Sequence, residues 1–366
     1  MSGWRGRWVQ WRNARLSDPR FQRFAADFPL TRPIARGRTR GLFDLVAGFV
    51  YSQVLAACVR LDIFNLLKAG PCSADDLAAK LDMPPEQLSR LLRAAAALDL
   101  VEPIGGQYAL GPQGAALLGN AGLGEMIRHH DSLYADMQDP VGLMRRGRGE
   151  HLAQYWPYAT SGDPAKASED AVAAYSALMA ATQPAVAADV LDAYPMRRHR
   201  TVMDVGGGEG AFLSAVGARW PHLNLRLFDL PAVVQRARKV LQPLASRATF
   251  HEGSFLTDPL PSGADLITLI RILHDHDDDG VTQLLASARA ALAPGGKLLI
   301  AEPMSAASGR GRVGDAYFGF YLLAMGRGEA RSPEEIGGFA KRAGFGRVRL
   351  LRVRTPSLLR VLVAET

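Results

Sequence analysis

Residues 201–211 read TVMDVGGGEGA, an apolar run that ends on an acid and breaks into a glycine-rich turn. The apolar part, Val202–Val205, is typical of a strand that is buried on both faces. Gly206, Gly208 and Gly210 allow the backbone to turn sharply and to pass close to a ligand before a helix begins. The stretch therefore predicts a strand, a glycine turn and a helix, as in the nucleotide-type sites of α/β proteins.

Four further apolar segments alternate with helical sequence after this turn, which predicts a doubly wound, mostly parallel sheet. They are residues 223–228, 248–251, 266–270 and 297–301. Asp229 follows the first of them directly. Ligands bind at the carboxyl ends of such strands, where a carboxylate can accept hydrogen bonds from a ribose diol. The alternative is that Asp229 only caps the following helix.

The glycine pattern by itself fits a nicotinamide enzyme as well as an enzyme that uses an adenosyl cofactor. Three features favour S-adenosylmethionine. Asp204 lies inside the strand before the glycines, Leu230-Pro231 follows Asp229, and a Pro-Gly-Gly turn precedes a strand that ends at Glu302. These features are similar to those of class I methyltransferases.

A narrower resemblance is carried by four motifs in order. They are Asp204-Val-Gly-Gly-Gly-Glu-Gly, Phe228-Asp-Leu-Pro, Arg271-Ile-Leu-His-Asp275 and Gly328-Glu329. Together they resemble the plant-type and bacterial O-methyltransferase family that has an N-terminal winged-helix dimerisation domain, over about residues 42–366. The resemblance implies an α/β fold with a class I Rossmann-like methyltransferase domain, S-adenosyl-L-methionine as cofactor, and a homodimer formed through the N-terminal domain.

His274 is the candidate catalytic residue. It follows the strand at 266–270, and imidazole is the side chain best suited to accept a proton near neutral pH. The resemblance implies that His274 is the general base and that Glu302 and Glu329 orient its imidazole. The alternatives are a surface histidine or a metal site in the acidic run at 274–279, which is more typical of a solvated helix start. We expect no metal, because a sulfonium methyl group is already electrophilic.

The resemblance also implies the cofactor-binding residues. They are Asp204, Gly206, Gly208, Asp229, Leu230, Ser254, Phe255 and Arg271. Ser254 and Phe255 would border the adenine, where the plant pattern has an acid and a methionine. Arg271 is a candidate for the cofactor carboxylate, because a lysine of the plant pattern is replaced by Ile270.

Residues on two helical segments are candidates for the acceptor pocket. Met179 matches a family methionine that clamps the acceptor, and Gln183 lies one turn further along. The second segment is rich in aromatic residues that would wall an apolar pocket, with core packing as the alternative. The candidates there are Tyr317, Phe318, Phe320, Tyr321 and Met325.

Over its whole length the chain is most similar to bacterial hydroxycarotenoid O-methyltransferases. This resemblance is carried by the basic N-terminus, by residues 51–61 and by residues 175–183. It implies an acceptor with a tertiary hydroxyl on a long polyene. The alternatives are a phenolic or polyketide acceptor, C-methylation of a tetrapyrrole, and a winged-helix regulator that has kept a cofactor domain.

The sequence predicts four segments in chain order: a basic aromatic arm (1–40), a winged-helix dimerisation domain (41–120), a helical linker (121–195) and the methyltransferase domain (196–366). In the second segment, Pro85–Leu98 would be the recognition helix of a DNA-binding protein. It carries mainly leucines and alanines, so we expect dimerisation and no nucleic-acid binding.

Charge is concentrated in the arm. Residues 1–40 contain ten arginines and two aspartates and therefore carry a net charge of +8. The net charge of the whole chain is +7, so the remaining residues together carry −1. Arginines with three tryptophans favour an anionic membrane surface, or else an arm that packs on a dimer partner. With two cysteines and no run of about 18 apolar residues, we expect a cytoplasmic protein or one that is peripheral on the cytoplasmic face of the inner or photosynthetic membrane.

Overall fold

The computed structural model describes residues 3–155, 169–306, 311–356 and 359–366, and it divides after Gly119 into two compact units. Residues 156–168, inside the predicted linker, lie outside the described part. The first unit is mainly helical. Its elements are α1 (Trp4–Ser17), α2 (Pro19–Asp27), α3 (Arg32–Arg60), α4 (Ile63–Lys68), α5 (Ala74–Leu81), α6 (Pro85–Ala97), β1 (Val101–Ile104), β2 (Gln107–Leu110) and α7 (Pro112–Leu118).

The helix, helix and hairpin predicted for the first unit are present. Ser73 caps α5 by accepting a hydrogen bond from the backbone of Asp76. Strands β1 and β2 pair in an antiparallel hairpin about Gly105 and Gly106, both of which have positive φ, as a tight two-residue turn requires. Helix α6 buries Leu88 and Leu92, and its exposed Arg90 lies near Glu86.

The basic arm is helical and has no boundary at residue 40. Helix α3 begins at Arg32 and continues to Arg60. It is long and apolar enough to cross a membrane, with 17% of its apolar window buried, so the expectation that the chain lacks such a stretch is wrong. Residues 42–59 carry a single charged residue, Asp44, which interrupts the run but scarcely lowers its mean hydropathy. The same composition also describes a helix that packs on a partner chain.

The second unit combines a helical segment with an α/β domain. Its helices are α8 (Ala121–Asp136), α9 (Pro140–Arg146), α10 (Leu152–Tyr155), α11 (Glu169–Ala193), α12 (Ala211–Arg219), α13 (Pro231–Val240), α14 (Asp278–Ala291), α15 (Gly319–Met325) and α16 (Pro333–Arg342). Its strands are β3 (Thr201–Val205), β4 (Asn224–Asp229), β5 (Ala248–Glu252), β6 (Ala264–Ile270), β7 (Leu292–Glu302), β8 (Arg347–Leu351) and β9 (Arg360–Glu365). A π-helix spans Arg312–Phe318 directly before α15.

The seven strands form one sheet in the order β5-β4-β3-β6-β7-β9-β8. The first five are parallel, and β9 runs antiparallel to both of its neighbours. The five predicted strands are all present, whereas β8 and β9 were not predicted. The order reverses between β3 and β6, so the carboxyl ends of these two strands border the crevice in which open α/β sheets bind ligands, and the end of β4 lies next to it.

Both faces of the central strand are buried, as predicted from its composition. Met203 and Val205 face one apolar cluster with Ile267 and Leu284, while Val202 faces the other with Leu225. Burial on both sides fixes the height of β3 in the sheet, and with it the position of the glycine turn that follows.

Candidate active site

The glycine turn lies against the end of β4. Gly206, Gly208 and Gly210 all have positive φ, and the backbone N–H of Gly208 donates to Asp229 Oδ2 over 2.8 Å. The other oxygen of Asp229 accepts from the backbone of Leu230 over 2.7 Å. Burial raises the pKa of Asp229 to about 6, and the two backbone donors partly oppose this effect.

Space around the turn is uneven. A Cβ on Gly206 would lie 2.6 Å from Ile272 Cδ1 and 3.4 Å from the ring of Phe255, whereas at Gly208 the surroundings within 4 Å are open. The turn therefore has one wall made by side chains and one open side. Asp229 accepts from the backbone of Gly208 and keeps lone pairs beyond those that its two backbone donors use.

Asp204, predicted to contact the cofactor, is a structural residue beneath the turn. Its Oδ1 accepts a hydrogen bond of 2.6 Å from Thr268 Oγ1 on β6, and the residue is 1% exposed. Burial raises its pKa to about 7, although the bond from Thr268 opposes this. Asp204 thus joins two strands and packs against Gly207, and its contact with the cofactor stays a prediction.

Ser254 and Phe255 follow β5 on the same edge of the sheet. The backbone of Ser254 donates to Asp258, and the ring of Phe255 meets that of His276 edge to face at 5.3 Å between centroids. Burial lowers the pKa of His276 to about 4, so this imidazole is neutral at physiological pH.

His274 lies in a short 3₁₀ turn, Leu273–Asp275, just beyond β6. Its Nδ1 is 2.5 Å from Oε2 of Glu302 at the end of β7. The other oxygen of Glu302 accepts from the backbone N–H groups of Ile272 and Leu273 over 2.8 and 2.7 Å. One buried carboxylate therefore fixes both the imidazole and the loop that carries it, and it assigns the proton of the neutral imidazole to Nδ1.

Asp275 is a residue that the motif analysis missed as a functional group. Its Oδ1 lies 3.2 Å from His274 Nε2 and has no hydrogen-bond partner although it is buried. Burial alone would lower the pKa of His274, but the charges of Asp275 and Glu302 and the bond to Glu302 outweigh it and raise the pKa. The signal in the sequence was its position directly after the histidine.

Glu329 contacts His274 through its backbone and lines the same small cavity as His274 and Glu302, so its predicted role in orienting the imidazole stays a prediction. Its side chain is exposed, and its backbone N–H donates to the carbonyl oxygen of His274 over 2.8 Å. A Cβ on the preceding Gly328, at φ +88°, would lie 2.1 Å from that same carbonyl oxygen. Gly328 and Glu329 therefore hold the main chain of His274, while Glu302 is the acid that reaches its ring.

The guanidinium of Arg271, the candidate for the cofactor carboxylate, contacts α11. One of its terminal nitrogens donates to Thr182 Oγ1 over 2.7 Å and the other lies 2.9 Å from the sulfur of Met179, both on α11. Arg271 itself has φ +61°, a left-handed conformation that a non-glycine residue seldom adopts. The structure thus joins Arg271 to Met179, and Gln183 lies half-buried on the same helix.

Aromatic rings stand beside the imidazole. Phe318 meets His274 at 6.2 Å between ring centroids, and Tyr317 and Tyr321 meet Phe318 at 5.0 and 6.2 Å. These rings lie on the π-helix and at the start of α15. The single helix predicted here is therefore a π-helix that continues as an α-helix, and π-helical turns are frequent at functional sites.

Met325 belongs to the core. It is 1% exposed and packs in a cluster with Leu143, Leu152 and Leu322, and half-buried Phe320 lies against the same cluster. Core packing, the alternative kept for this segment, therefore accounts for Met325, because the residue faces inward where α15 meets α9 and α10.

Two histidines anchor the aromatic segment. His129 and His130 on α8 lie 2.8 Å from the hydroxyl of Tyr321 and 2.7 Å from that of Tyr317. Burial, helped by the charge of His130, lowers the pKa of His129 to about 4. Among the described residues no cluster of histidine, cysteine and acid side chains could hold a metal ion. In the acidic run, Asp277 caps α14.

Two family profiles match the chain. The O-methyltransferase dimerisation domain matches residues 43–120 and the O-methyltransferase domain matches residues 136–346. The dimerisation match suggests a homodimer.

Two relatives and one solved structure are similar over most of the chain. The demethylspheroidene O-methyltransferase of Rhodobacter capsulatus is 43% identical, over 92% of this chain and 84% of that protein. The enzyme of the same name from Cereibacter sphaeroides is 43% identical, over 90% and 88%. The crystal structure of human N-acetylserotonin methyltransferase in complex with SAM has a TM-score of 0.74 at 25% identity and covers 90% of this chain and 97% of that one.

The residues at the glycine turn fit that cofactor. A Cβ on Gly206 would clash with Ile272, whereas Gly208 faces open space. Asp229 offers acceptor lone pairs at the strand end, as an adenosine ribose requires. The motifs, the sheet order and the two profiles agree, and the chain belongs to the S-adenosylmethionine-dependent O-methyltransferase family with an N-terminal dimerisation domain.

Proposed function

We propose that this enzyme methylates the tertiary 1-hydroxyl of an acyclic, spheroidene-type carotenoid, with His274 as general base. The observation that carries the base assignment is the pair formed by His274 Nδ1 and Glu302 Oε2. With Nδ1 holding its proton toward the carboxylate, Nε2 is left with a lone pair that can accept the proton of an acceptor hydroxyl.

S-adenosylmethionine, when bound, supplies the electrophilic methyl group. Asp229 and the backbone of the glycine turn would hold it, and the wall formed by Ile272 and Phe255 would limit its position. The acceptor oxygen would take the methyl group as the bond from that group to the sulfonium sulfur breaks, which would leave a neutral thioether, and the hydroxyl proton would move to His274 Nε2. Glu302 stabilises the imidazolium formed in that step.

Asp275 supports this assignment. Its buried Oδ1 has no hydrogen-bond partner beside Nε2, so it can accept from the acceptor hydroxyl or stabilise the protonated ring. A tertiary alcohol is much less acidic than a phenol and needs a stronger base. The raised pKa of His274 supplies one, because a base whose pKa is higher binds its proton more tightly.

The carotenoid acceptor is supported by the two relatives whose names specify demethylspheroidene, both 43% identical over nearly the whole chain. The half-buried rings of Tyr317 and Phe318 beside the imidazole suit an apolar substrate. A phenolic acceptor is the second candidate, because the mouse acetylserotonin O-methyltransferase is 31% identical over 87% of the chain.

The test is methyl transfer from labelled S-adenosylmethionine to a 1-hydroxycarotenoid, to N-acetylserotonin and to a bacteriochlorophyllide. We expect label in the carotenoid alone. His274→Ala should abolish transfer while cofactor binding, measured by calorimetry, stays near normal. Turnover by this variant would remove His274 as base, and label in the phenol or the tetrapyrrole would overturn the acceptor while keeping the enzyme class.

Phe318→Ala tests the pocket separately. It should raise KM for the carotenoid and leave cofactor affinity unchanged, because the ring lies beside the imidazole that would receive the proton of the acceptor. Phe345→Ala, a substitution of comparable size in the sheet core, is the control for a general loss of packing. Equal effects of the two variants on KM would remove Phe318 from the acceptor pocket.

A further inference from the structure

Helix α1 displays three tryptophans on one face. Trp4, Trp8 and Trp11 follow the spacing of adjacent helical turns and are 70%, 51% and 60% exposed. The helix buries none of its residues within the structure. Single exposed apolar side chains are common, but an aligned row of the largest side chain marks an interaction surface.

Arginines border this row. With 3.6 residues per turn, Arg5 and Arg12 lie on one flank, Arg7 lies on the other, and Arg15 continues the line of the tryptophans. The guanidinium of Arg5 lies 5.7 Å from the ring of Trp4, and that of Arg12 lies 5.2 Å from the ring of Trp8.

The opposite face of α1 is uncharged, with Val9, Gln10, Asn13 and Ser17. The helix contains no acidic residue, so the whole element carries four positive charges. Its tryptophans and arginines share one face, so a partner of this face has to offer both apolar contacts and negative charge.

We propose that the tryptophan and arginine face of α1 docks the protein on an anionic membrane surface. An indole ring is stable at headgroup level, where its body is in contact with acyl chains and its N–H with polar groups. Arginines beside it pair with lipid phosphates. A helix of 14 residues is too short to span a bilayer and lies in the plane of the interface.

A second copy of the chain fits this face less well. The dimerisation profile begins at residue 43, so α1 lies outside it. The exposed apolar stripe that does lie in or beside the matched segment is on α3, with Leu42, Phe43, Leu45, Val46, Phe49 and Val50. The cores of interfaces between copies are poor in charge, and in a symmetric pair the arginines of α1 would face each other.

The experiment measures binding of the full-length protein to vesicles of phosphatidylcholine with and without phosphatidylglycerol. We expect binding only to the anionic vesicles, a blue shift of tryptophan fluorescence, and release at about 1 M salt because the charges are screened. The triple substitution Trp4→Ala, Trp8→Ala, Trp11→Ala should weaken binding at least about tenfold. The matched control Gln10→Ala, Asn13→Ala, Ser17→Ala alters the opposite face and should bind normally.

Replacing Arg5, Arg7, Arg12 and Arg15 by glutamine should remove the preference for anionic lipid. Turnover of a detergent-solubilised acceptor should be the same in all variants. Undiminished vesicle binding by the tryptophan variant would overturn the proposal. Loss of the dimer mass of the tryptophan variant in light scattering would also overturn it, because the face would then belong to a contact with a second copy. Tighter binding of the natural protein to duplex DNA than to the vesicles would overturn it as well.

Discussion

The Nδ1 atom of His274 lies 2.5 Å from Oε2 of Glu302, and both residues are almost fully buried. The two come from different strand ends, since the histidine follows β6 and the glutamate ends β7. The parallel pairing of these strands, with Ile270 opposite Ala301, brings the two side chains together.

Replacing Glu302 by glutamine should change the pH dependence of turnover. The neutral imidazole is the base, so the rate rises as the pH rises through the pKa of His274, which lies above its ordinary value. The substitution removes a negative charge, lowers that pKa, and should shift the acidic limb of the kcat/KM profile to lower pH with a reduced maximum. Glu334→Gln, at an exposed position in the first turn of α16, is the control. An unshifted limb in Glu302→Gln would contradict this role.

Gly328→Ala should reduce turnover about a hundredfold, because a displacement of a base by about 1 Å can have that effect. Its Cβ would lie 2.1 Å from the carbonyl oxygen of His274, and the main chain has to move. Gly344→Ala is a matched control, since its φ of +94° causes similar strain while its nearest neighbour, Arg289, is 3.9 Å away. Steady-state kinetics and thermal unfolding of both variants separate the effects, and equal turnover would refute the steric argument.

Asp229→Asn should weaken S-adenosylmethionine binding roughly ten- to a hundredfold, the range expected when a charged acceptor of hydrogen bonds is lost. The turnover number at saturating cofactor should change much less. The control is Asp265→Asn, because Asp265 also accepts from backbone N–H groups, those of Arg200 and Thr201, but at the opposite end of β3. Calorimetric titration of the three proteins decides, and equal affinities would exclude Asp229 from the site.

Asp204→Asn should alter how stability depends on pH. Burial raises the pKa of Asp204 in the fold to about 7, above its ordinary value of 3.8, so between these values the folded state binds more protons than the unfolded state. The contribution of this group therefore falls as the pH rises from about 4 to about 7. The free energy of unfolding of the variant minus that of the natural protein should therefore increase as the pH rises through that window and stay constant above it. Urea unfolding at a series of pH values is the measurement, and a constant difference would show that the carboxyl stays ionised.

The sequence alone predicted the architecture of the second unit. A strand with apolar residues on both faces, followed by glycines, can only be accommodated inside a parallel sheet, and four further apolar segments supplied its neighbours. The motifs predicted the family and its cofactor, which the comparisons confirm. The two antiparallel strands β8 and β9 were missed, because arginines alternate with the apolar residues of β8 and obscure its pattern.

Only the tertiary structure decided which predicted residues meet. Glu302 and Glu329 are equivalent as residue types, and the pairing of β6 with β7 directs one of them to the imidazole while the other is exposed. In the same way, the winding of Arg271 at positive φ turns its guanidinium toward Met179 and Thr182. Residue type and order along the chain specify the elements and the available chemistry, but the direction of a side chain depends on contacts between residues far apart in sequence.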